Sequence, residues 1–203
     1  QIRFLLDRGY PVLVFSMPFA GMNSQPVIML DGKETKLDNH AKFQLLESDK
    51  FSPISYFVEP IAVSLNFIDK NFDYTNYHMI GISGGGWTAV IYPAIDQRIS
   101  HTTSVAGSLP LELRTLERDM GDYEQRLPEL YQIANYYDLY VLASFGTNSK
   151  LTQIFNFDDE CCFAVSDEKD LSYENEIKNR LSSLGSGKFE IIIINTNYHR
   201  ITG

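Results

Sequence analysis

Residues 77–86 read Tyr-His-Met-Ile-Gly-Ile-Ser-Gly-Gly-Gly, and they are the most informative part of the sequence for its architecture. Residues 77–82 form a short, largely apolar run with the length of a β-strand. The run passes without a linker into Ser83 and a glycine triplet, and residues 85–95 have the composition of an apolar helix. The stretch therefore predicts a strand that turns sharply into a helix, with Ser83 at the turn.

The turn itself carries a recognisable motif, because Gly81, Ser83 and Gly85 fit Gly-x-Ser-x-Gly. Such a turn strains the backbone at the serine, lifts its hydroxyl above the sheet and leaves no room for side chains two residues to either side. The N–H of Gly84 would then face an oxygen that gains negative charge. The alternatives are a merely structural turn and a phosphate-binding loop, and a phosphate-binding loop favours a lysine after its last glycine, where Trp87 stands. The motif therefore indicates a nucleophilic serine.

A nucleophilic serine needs a base, and the chain has four histidines. In the chain order typical of this turn, the acid follows the serine and the histidine comes last. His40 precedes Ser83. His78 lies inside the strand, where its side chain would point into a helix layer, and His101 begins the following strand. His199 follows the last predicted strand, at the carboxyl end where open α/β sheets place their sites. We therefore predict His199 as the base; an exposed loop histidine is the alternative interpretation.

The acid that orients the base is expected after the preceding strand, residues 152–157. That strand is followed by Asp158, Asp159 and Glu160, and all three are candidates. Neighbouring side chains point in different directions, so only one of them can reach the imidazole. The others would belong to a solvated loop.

Strands and helices alternate on either side of the motif, and the strands are continuously apolar. This pattern predicts a parallel sheet covered by helices on both faces. Residues 17–50 are interpreted as a polar loop, and Gly185 as the stop of a helix. The predicted strands are residues 11–15, 77–82, 99–105, 152–157 and 189–194, and the predicted helices are residues 57–68, 85–95 and 171–184.

Residues 109–144 interrupt the alternation with a charge-rich, helical segment that has room for two or three helices. We interpret residues 1–203 as a single domain and residues 109–144 as a lid-like insertion within it. The insertion is rich in tyrosine, which suggests either packing against the core or an entrance that stacks on sugars. Its tyrosines are Tyr123, Tyr131, Tyr136, Tyr137 and Tyr140.

Composition excludes several classes of protein. The chain has 203 residues, 44% of them hydrophobic and 21% charged, which is typical of a folded protein with a large core. The net charge of −9 argues against a nucleic-acid partner, which would need a basic face. No apolar run approaches the ~20 residues of a membrane span.

The two cysteines, Cys161 and Cys162, are adjacent. Their Cα atoms would lie ~3.8 Å apart, whereas disulfides usually span ~4.4–6.8 Å, so a bridge between them is possible only with strain. The sequence contains neither paired Cys-x-x-Cys motifs nor His-Glu-x-x-His, so no metal and no cofactor are predicted. Adjacent cysteines and the lack of a signal peptide favour a cytoplasmic location.

The chain resembles the α/β-hydrolase superfamily, in its serine-hydrolase branch. Three segments carry the resemblance: residues 81–87 (Gly-Ile-Ser-Gly-Gly-Gly-Trp), 156–163 (Asn-Phe-Asp-Asp-Glu-Cys-Cys-Phe) and 197–202 (Asn-Tyr-His-Arg-Ile-Thr). The last two are similar to those of uncharacterised bacterial hydrolases with an Asp-x-Cys-Cys-Phe acid loop. That similarity favours Asp159 as the acid and leaves Asp158 as the alternative.

The resemblance implies a role for each site residue. Ser83 would be the nucleophile, His199 the general base and then acid, and Asp159 the group that orients the imidazole. The N–H of Gly84 would be one oxyanion donor. A second donor loop, such as His-Gly-Gly-Gly, is missing, so that donor would come from upstream or from residues 18–23. The first strands and the last helix of the family also look absent, which suggests a trimmed fragment of a longer protein.

These features together predict hydrolysis of a small-molecule or saccharide ester through an acyl-enzyme. A carboxylesterase and a saccharide deacetylase are both compatible with the sequence. The alternatives are a non-catalytic hydrolase-like binding domain, and an acyltransferase or peptidase that uses the same serine. The sequence does not indicate an oligomeric state.

Overall fold

A computed structural model describes residues 1–165 and 171–201 of the chain. Its centre is a four-stranded parallel sheet in the order β3-β4-β5-β6, and a separate two-stranded hairpin pairs β1 with β2. The α/β class and the parallel sheet flanked by helices are therefore confirmed. The strands are Val27–Leu30 (β1), Lys33–Lys36 (β2), Tyr77–Ile82 (β3), Ile99–Val105 (β4), Lys150–Asn156 (β5) and Lys188–Ile194 (β6).

Helices pack side by side against one face of the sheet. In this layer α2 contacts α3, α3 contacts α5, and α5 contacts α6. The core beneath them includes Trp87, Phe155 and Ile177, none of which is more than 1% exposed. The helices are Ile2–Leu6 (α1), Ser55–Asn71 (α2), Gly84–Ile95 (α3), Pro128–Tyr131 (α4), Tyr136–Ser144 (α5) and Tyr173–Leu184 (α6).

The opposite face of the sheet is only partly covered by the described residues. His78 and His101 are exposed there with their ring centroids 4.7 Å apart, and Ile80 is 50% exposed. Among the described residues the packed helices therefore lie on one face of the sheet, and His78 does not point into a helix layer as expected. His78 is exposed because side chains alternate along a strand. Its neighbours Tyr77 and Met79 point the other way and pack against the buried cluster that includes residues of α2.

Residues 11–15 are not a strand in this structure. β3 is hydrogen-bonded to β4, and within the described residues no strand lies on its other edge. Leu13 and Val14 are consequently 54% and 52% exposed. An apolar, β-branched run favours a strand only where a neighbouring strand is available for pairing, and composition does not reveal whether one is.

The segment interpreted as a loop over residues 17–50 contains the β1–β2 hairpin and a short 3₁₀-helix, His40–Leu45. The hairpin turns at Asp31 and Gly32, whose φ angles are +49° and +77°. Asp-Gly is a typical pair for the tight turn with two positive φ angles. This dipeptide was therefore a sequence signal that the loop interpretation missed.

Residues 109–144 form short helical turns followed by α4 and α5. Arg114 stabilises the irregular part, because its guanidinium donates hydrogen bonds to the carbonyls of Leu109 and Met120 and lies over the ring of Tyr136. α5 contacts α3 and α6 and belongs to the helix layer. The role of this segment as a lid stays a prediction.

The glycines around the turn at Ser83 differ in how much space they have. A Cβ at Gly81 would lie 2.0 Å from the carbonyl oxygen of Gly85, and one at Gly107 would lie 2.4 Å from a backbone atom of Gly86. A Cβ at Gly85 would meet only the Met17 sulfur, at 3.8 Å. The tight approach of strand and helix therefore requires glycine at position 81 but not at position 85.

This difference predicts opposite outcomes for two alanine substitutions. Gly81→Ala should destabilise the fold by about 3 kcal/mol, because backbone atoms would have to move apart. Gly85→Ala, its matched control in the first turn of α3, should be neutral or stabilise by up to ~1 kcal/mol, since alanine favours a helix. Urea unfolding of both variants measures the effects. Equal losses of stability would contradict the steric account.

Candidate active site

Ser83 occupies the sharp turn between β3 and α3. Its φ and ψ angles are +56° and −127°, a region that non-glycine residues rarely adopt. Two backbone hydrogen bonds maintain this conformation: the N–H of Ser83 donates to the carbonyl of Val105, and the N–H of Trp87 donates to the carbonyl of Ser83. The strained turn expected from the motif is present at the residue that the sequence singled out.

His199 and Asp159 form a hydrogen-bonded pair on the loops that follow β6 and β5. The Nδ1 atom of His199 lies 3.1 Å and 3.0 Å from the two carboxylate oxygens of Asp159. The two loops are also joined through their backbones, since the N–H of Glu160 donates to the carbonyl of Asn197. An imidazole held in this way carries its proton on Nδ1 and turns Nε2 outward from the carboxylate.

The carboxylate of Asp159 is completely buried and has several further donors. The backbone N–H groups of Cys161 and Cys162 donate to Oδ1, at 2.9 Å and 3.3 Å, and the amide of Asn156 donates to Oδ2 at 3.1 Å. Burial alone would raise the pKa of Asp159, but these bonds and His199 together hold that pKa below its usual value. The residue is therefore an ionised acceptor for the imidazole at neutral pH.

The structure separates the two candidate acids. Asp158 is exposed and has no hydrogen bond to His199 within the described residues, whereas Asp159 is buried against the imidazole. The chain geometry explains the difference, since Asp158 has a φ of +57° and the loop turns there. Asp159 is therefore the candidate acid that contacts the candidate base.

Ser83 and His199 are not hydrogen-bonded to each other in the part of the chain that the structure describes. The Nε2 atom of His199 is buried and has no hydrogen-bond partner there. In unliganded enzymes the bond between nucleophile and base is often long and tightens only with substrate. Ser83, Asp159 and His199 all follow carboxyl ends of parallel strands, so they share one edge of the sheet.

The N–H of Gly84 and the side chain of Met17 lie beside the turn at Ser83. Gly84 is the first residue of α3, so its N–H has no acceptor within the helix. The side chain of Met17 lies against it, because a Cβ at Gly84 would be 3.1 Å from the methionine methyl group. The loop after residue 15 thus borders the turn. That residues 18–23 supply a second oxyanion donor stays a prediction.

His40 is part of a charged cluster that sequence reasoning missed. Its Nδ1 lies 3.0 Å from a carboxylate oxygen of Glu124, which is 1% exposed, and 3.4 Å from one of Asp122. Its Nε2 bonds to the carbonyl of Pro18, next to Met17. Burial alone would lower the pKa of His40, but the two carboxylates and Pro18 raise that pKa to about 10. The cluster therefore holds the loop beside Ser83 with a charged imidazole.

This cluster predicts a specific pH dependence of stability. Since the pKa of His40 rises from 6.5 unfolded to about 10 folded, its stabilising effect is complete below pH 6.5 and disappears as the pH rises through 10. The difference in free energy of unfolding between the wild type and His40→Asn should therefore shrink between pH 7 and pH 10. Urea titrations across this range measure it, and a constant difference would contradict the assignment.

Two groups of side chains have the composition of metal ligands within the described residues. Cys161, Cys162 and His199 form one, and His40, Asp122 and Glu124 form the other. The cysteines are joined to each other as a disulfide, although the sequence disfavoured a bridge between neighbours. The prediction of no metal stays a prediction.

The tyrosines of residues 109–144 are mainly packing residues. Tyr136 and Tyr140 are at most 2% exposed, and the rings of Tyr131 and Tyr136 stack 4.6 Å apart. Tyr123 and Tyr137 are partly buried against the same core. This packing agrees with the core interpretation, and Tyr136 and Tyr140 are not available to stack on a sugar.

Several solved structures are distantly similar to this chain, each with a TM-score below 0.5. No family model and no curated protein matches the sequence. An acylaminoacyl peptidase from Pyrococcus horikoshii aligns with 71% of this chain at 16% identity and a TM-score of 0.49. A puromycin-hydrolyzing peptidase from Mycobacterium tuberculosis aligns with 70% at 13% identity and a TM-score of 0.45. The chain covers only 23% and 21% of those two proteins, so their activities do not carry over to it.

A third solved structure is also distantly similar to this chain. A protein from Klebsiella pneumoniae described as a dienelactone hydrolase aligns with 72% of this chain at 12% identity, with a TM-score of 0.43 and 50% of its own length covered. None of these similarities assigns an activity. Among the helices of residues 1–165 and 171–201, none is both long enough and apolar enough to cross a membrane.

Proposed function

We propose that this chain is a serine hydrolase that cleaves an ester bond in a small molecule or saccharide. The observation that carries the proposal is the combination of Ser83 at φ +56° with the His199–Asp159 pair on the same edge of the sheet. The strained backbone at Ser83 does not by itself indicate a nucleophile. The buried carboxylate of Asp159 orients the imidazole of His199, which supports the proposal that His199 is the base for Ser83.

The proposed reaction proceeds through an acyl-enzyme. The Oγ atom of Ser83 attacks the ester carbonyl while Nε2 of His199 accepts its proton, and Asp159 stabilises the imidazolium through Nδ1. The negative oxygen of the tetrahedral intermediate is stabilised by the N–H of Gly84. The imidazolium then donates its proton to the departing alcohol. His199 then takes a proton from water as the water attacks the acyl-enzyme, and it returns that proton to Oγ of Ser83 as the acid leaves.

A substrate panel tests the bond type. The protein is incubated with p-nitrophenyl acetate, p-nitrophenyl octanoate, an acetylated saccharide and an N-acylaminoacyl p-nitroanilide, and initial rates are measured. We expect hydrolysis of at least one ester and a much lower rate with the anilide. Faster cleavage of the anilide would replace the proposal with a peptidase. Transfer of the acyl group to an added alcohol in preference to water would replace it with an acyltransferase.

A further inference from the structure

The disulfide between Cys161 and Cys162 lies directly against the candidate catalytic acid. The backbone N–H groups of both cysteines donate to Oδ1 of Asp159, and that same oxygen lies 3.1 Å from Nδ1 of His199. A bond between adjacent cysteines closes a small ring that contains the peptide bond between them. The N–H of Cys162 belongs to that ring, so its direction depends on whether the ring is closed.

The pair is also accessible to a reagent from solution. Cys161 is exposed and Cys162 is half-buried, whereas Asp159 is completely buried. A thiol can therefore reach the disulfide without unfolding the loop. Exposed disulfides are the ones that are generally labile or regulatory.

Opening the disulfide would change the surroundings of His199 as well. The sulfur atoms and a ring nitrogen of His199 lie within 4.8 Å of one another. A thiolate released at this distance would compete with Asp159 as a hydrogen-bond acceptor for the imidazole of His199. Both effects act on the pair that orients the base.

We propose that Cys161–Cys162 is a thiol–disulfide exchange site that controls the His199–Asp159 pair, with the disulfide as the active form. Only the expected effect of reduction on catalysis rests on the proposed function. A thiolate of a dithiol reductant attacks one sulfur and forms a mixed disulfide, releasing the other cysteine as a thiolate. The second thiol of the reductant then displaces the first cysteine, which leaves two protein thiols and an oxidised reductant. The cysteines are positioning residues.

The experiment compares the chain in its oxidised form with the chain reduced by dithiothreitol, with free thiols counted in both. The rate of fluorophosphonate labelling at Ser83 should fall roughly tenfold or more on reduction, since small displacements of a catalytic group are costly. Reoxidation should restore it. With an ester substrate, kcat should fall while KM changes little. Cys161→Ser/Cys162→Ser should label at the reduced rate and should not respond to dithiothreitol, which controls for effects of the reductant.

A second readout does not depend on activity. The Nδ1 proton of His199 in its bond to Asp159 is followed by NMR in both redox states, and we expect its resonance to shift or broaden on reduction. A shift without any labelling of Ser83 in either state would overturn the proposed function but leave the exchange site in place. Equal labelling rates together with an unchanged resonance, in a protein whose thiols are shown to be reduced, would overturn the exchange site.

Discussion

Ser83→Ala abolishes ester turnover in this account, with an expected loss of about 10⁵–10⁶-fold in kcat. The reason is that the hydroxyl oxygen forms the covalent bond to the acyl group, and no other side chain at the turn can replace it. Alanine keeps the Cβ that serine already has at φ +56°, so the substitution adds no new strain to the turn. The variant should therefore unfold at nearly the wild-type temperature.

Steady-state kinetics with the best ester from the panel measure this loss, and thermal unfolding verifies the fold. Ser182→Ala is a suitable control, because Ser182 is an exposed serine on α6. The control should retain full activity. Residual turnover above about 0.1% of the wild-type kcat in a folded Ser83→Ala protein would mean that another group is the nucleophile.

Asp159→Asn should lower kcat by roughly 10⁴-fold with little change in KM. The amide has the shape of the carboxylate, but it cannot accept the Nδ1 proton of His199 with a full negative charge. The imidazole would then favour the wrong tautomer and would lose its partner when it becomes charged. The N–H groups of Cys161 and Cys162, which now donate to a carboxylate oxygen, could still bond to the amide oxygen.

The neighbouring residue provides the matched control. Asp158→Asn removes the same charge one position earlier, on an exposed side chain without a bond to His199 in the described residues. We expect less than about a twofold change in kcat for this variant. If Asp158→Asn is the damaging substitution and Asp159→Asn is tolerated, the acid has been assigned to the wrong residue while the reaction class survives.

Local sequence was sufficient to predict the central part of the fold. The strands over residues 77–82 and 99–105 and the helix that starts after Ser83 are found almost to the residue. These elements have apolar runs bounded by glycine or polar residues. The turn between β3 and α3 leaves no room for a side chain at Gly81, so it is marked by a glycine in the sequence. The stop of α6 at Gly185, with a φ of +78°, follows from the same kind of local rule.

Features that depend on distant partners could not be read from the sequence. Residues 11–15 have a strand-like composition, but the strand would exist only with a neighbour beside it. His40 and Glu124 are far apart in the chain and meet only in the folded protein. The position of His199 after the last strand was predictable because chain order and the end of a strand are both visible in sequence, and its role as a base stays a prediction.

Covalent labelling by a fluorophosphonate reports whether Ser83 is an activated nucleophile. The folded, oxidised chain is treated with the probe, digested, and mapped by peptide mass spectrometry, alongside Ser83→Ala and His199→Ala. An activated nucleophile predicts a single adduct on Ser83 that is absent in the first variant and strongly reduced in the second. A well-folded wild-type chain without an adduct on Ser83 would contradict the account and would favour a hydrolase-like domain that binds without catalysing.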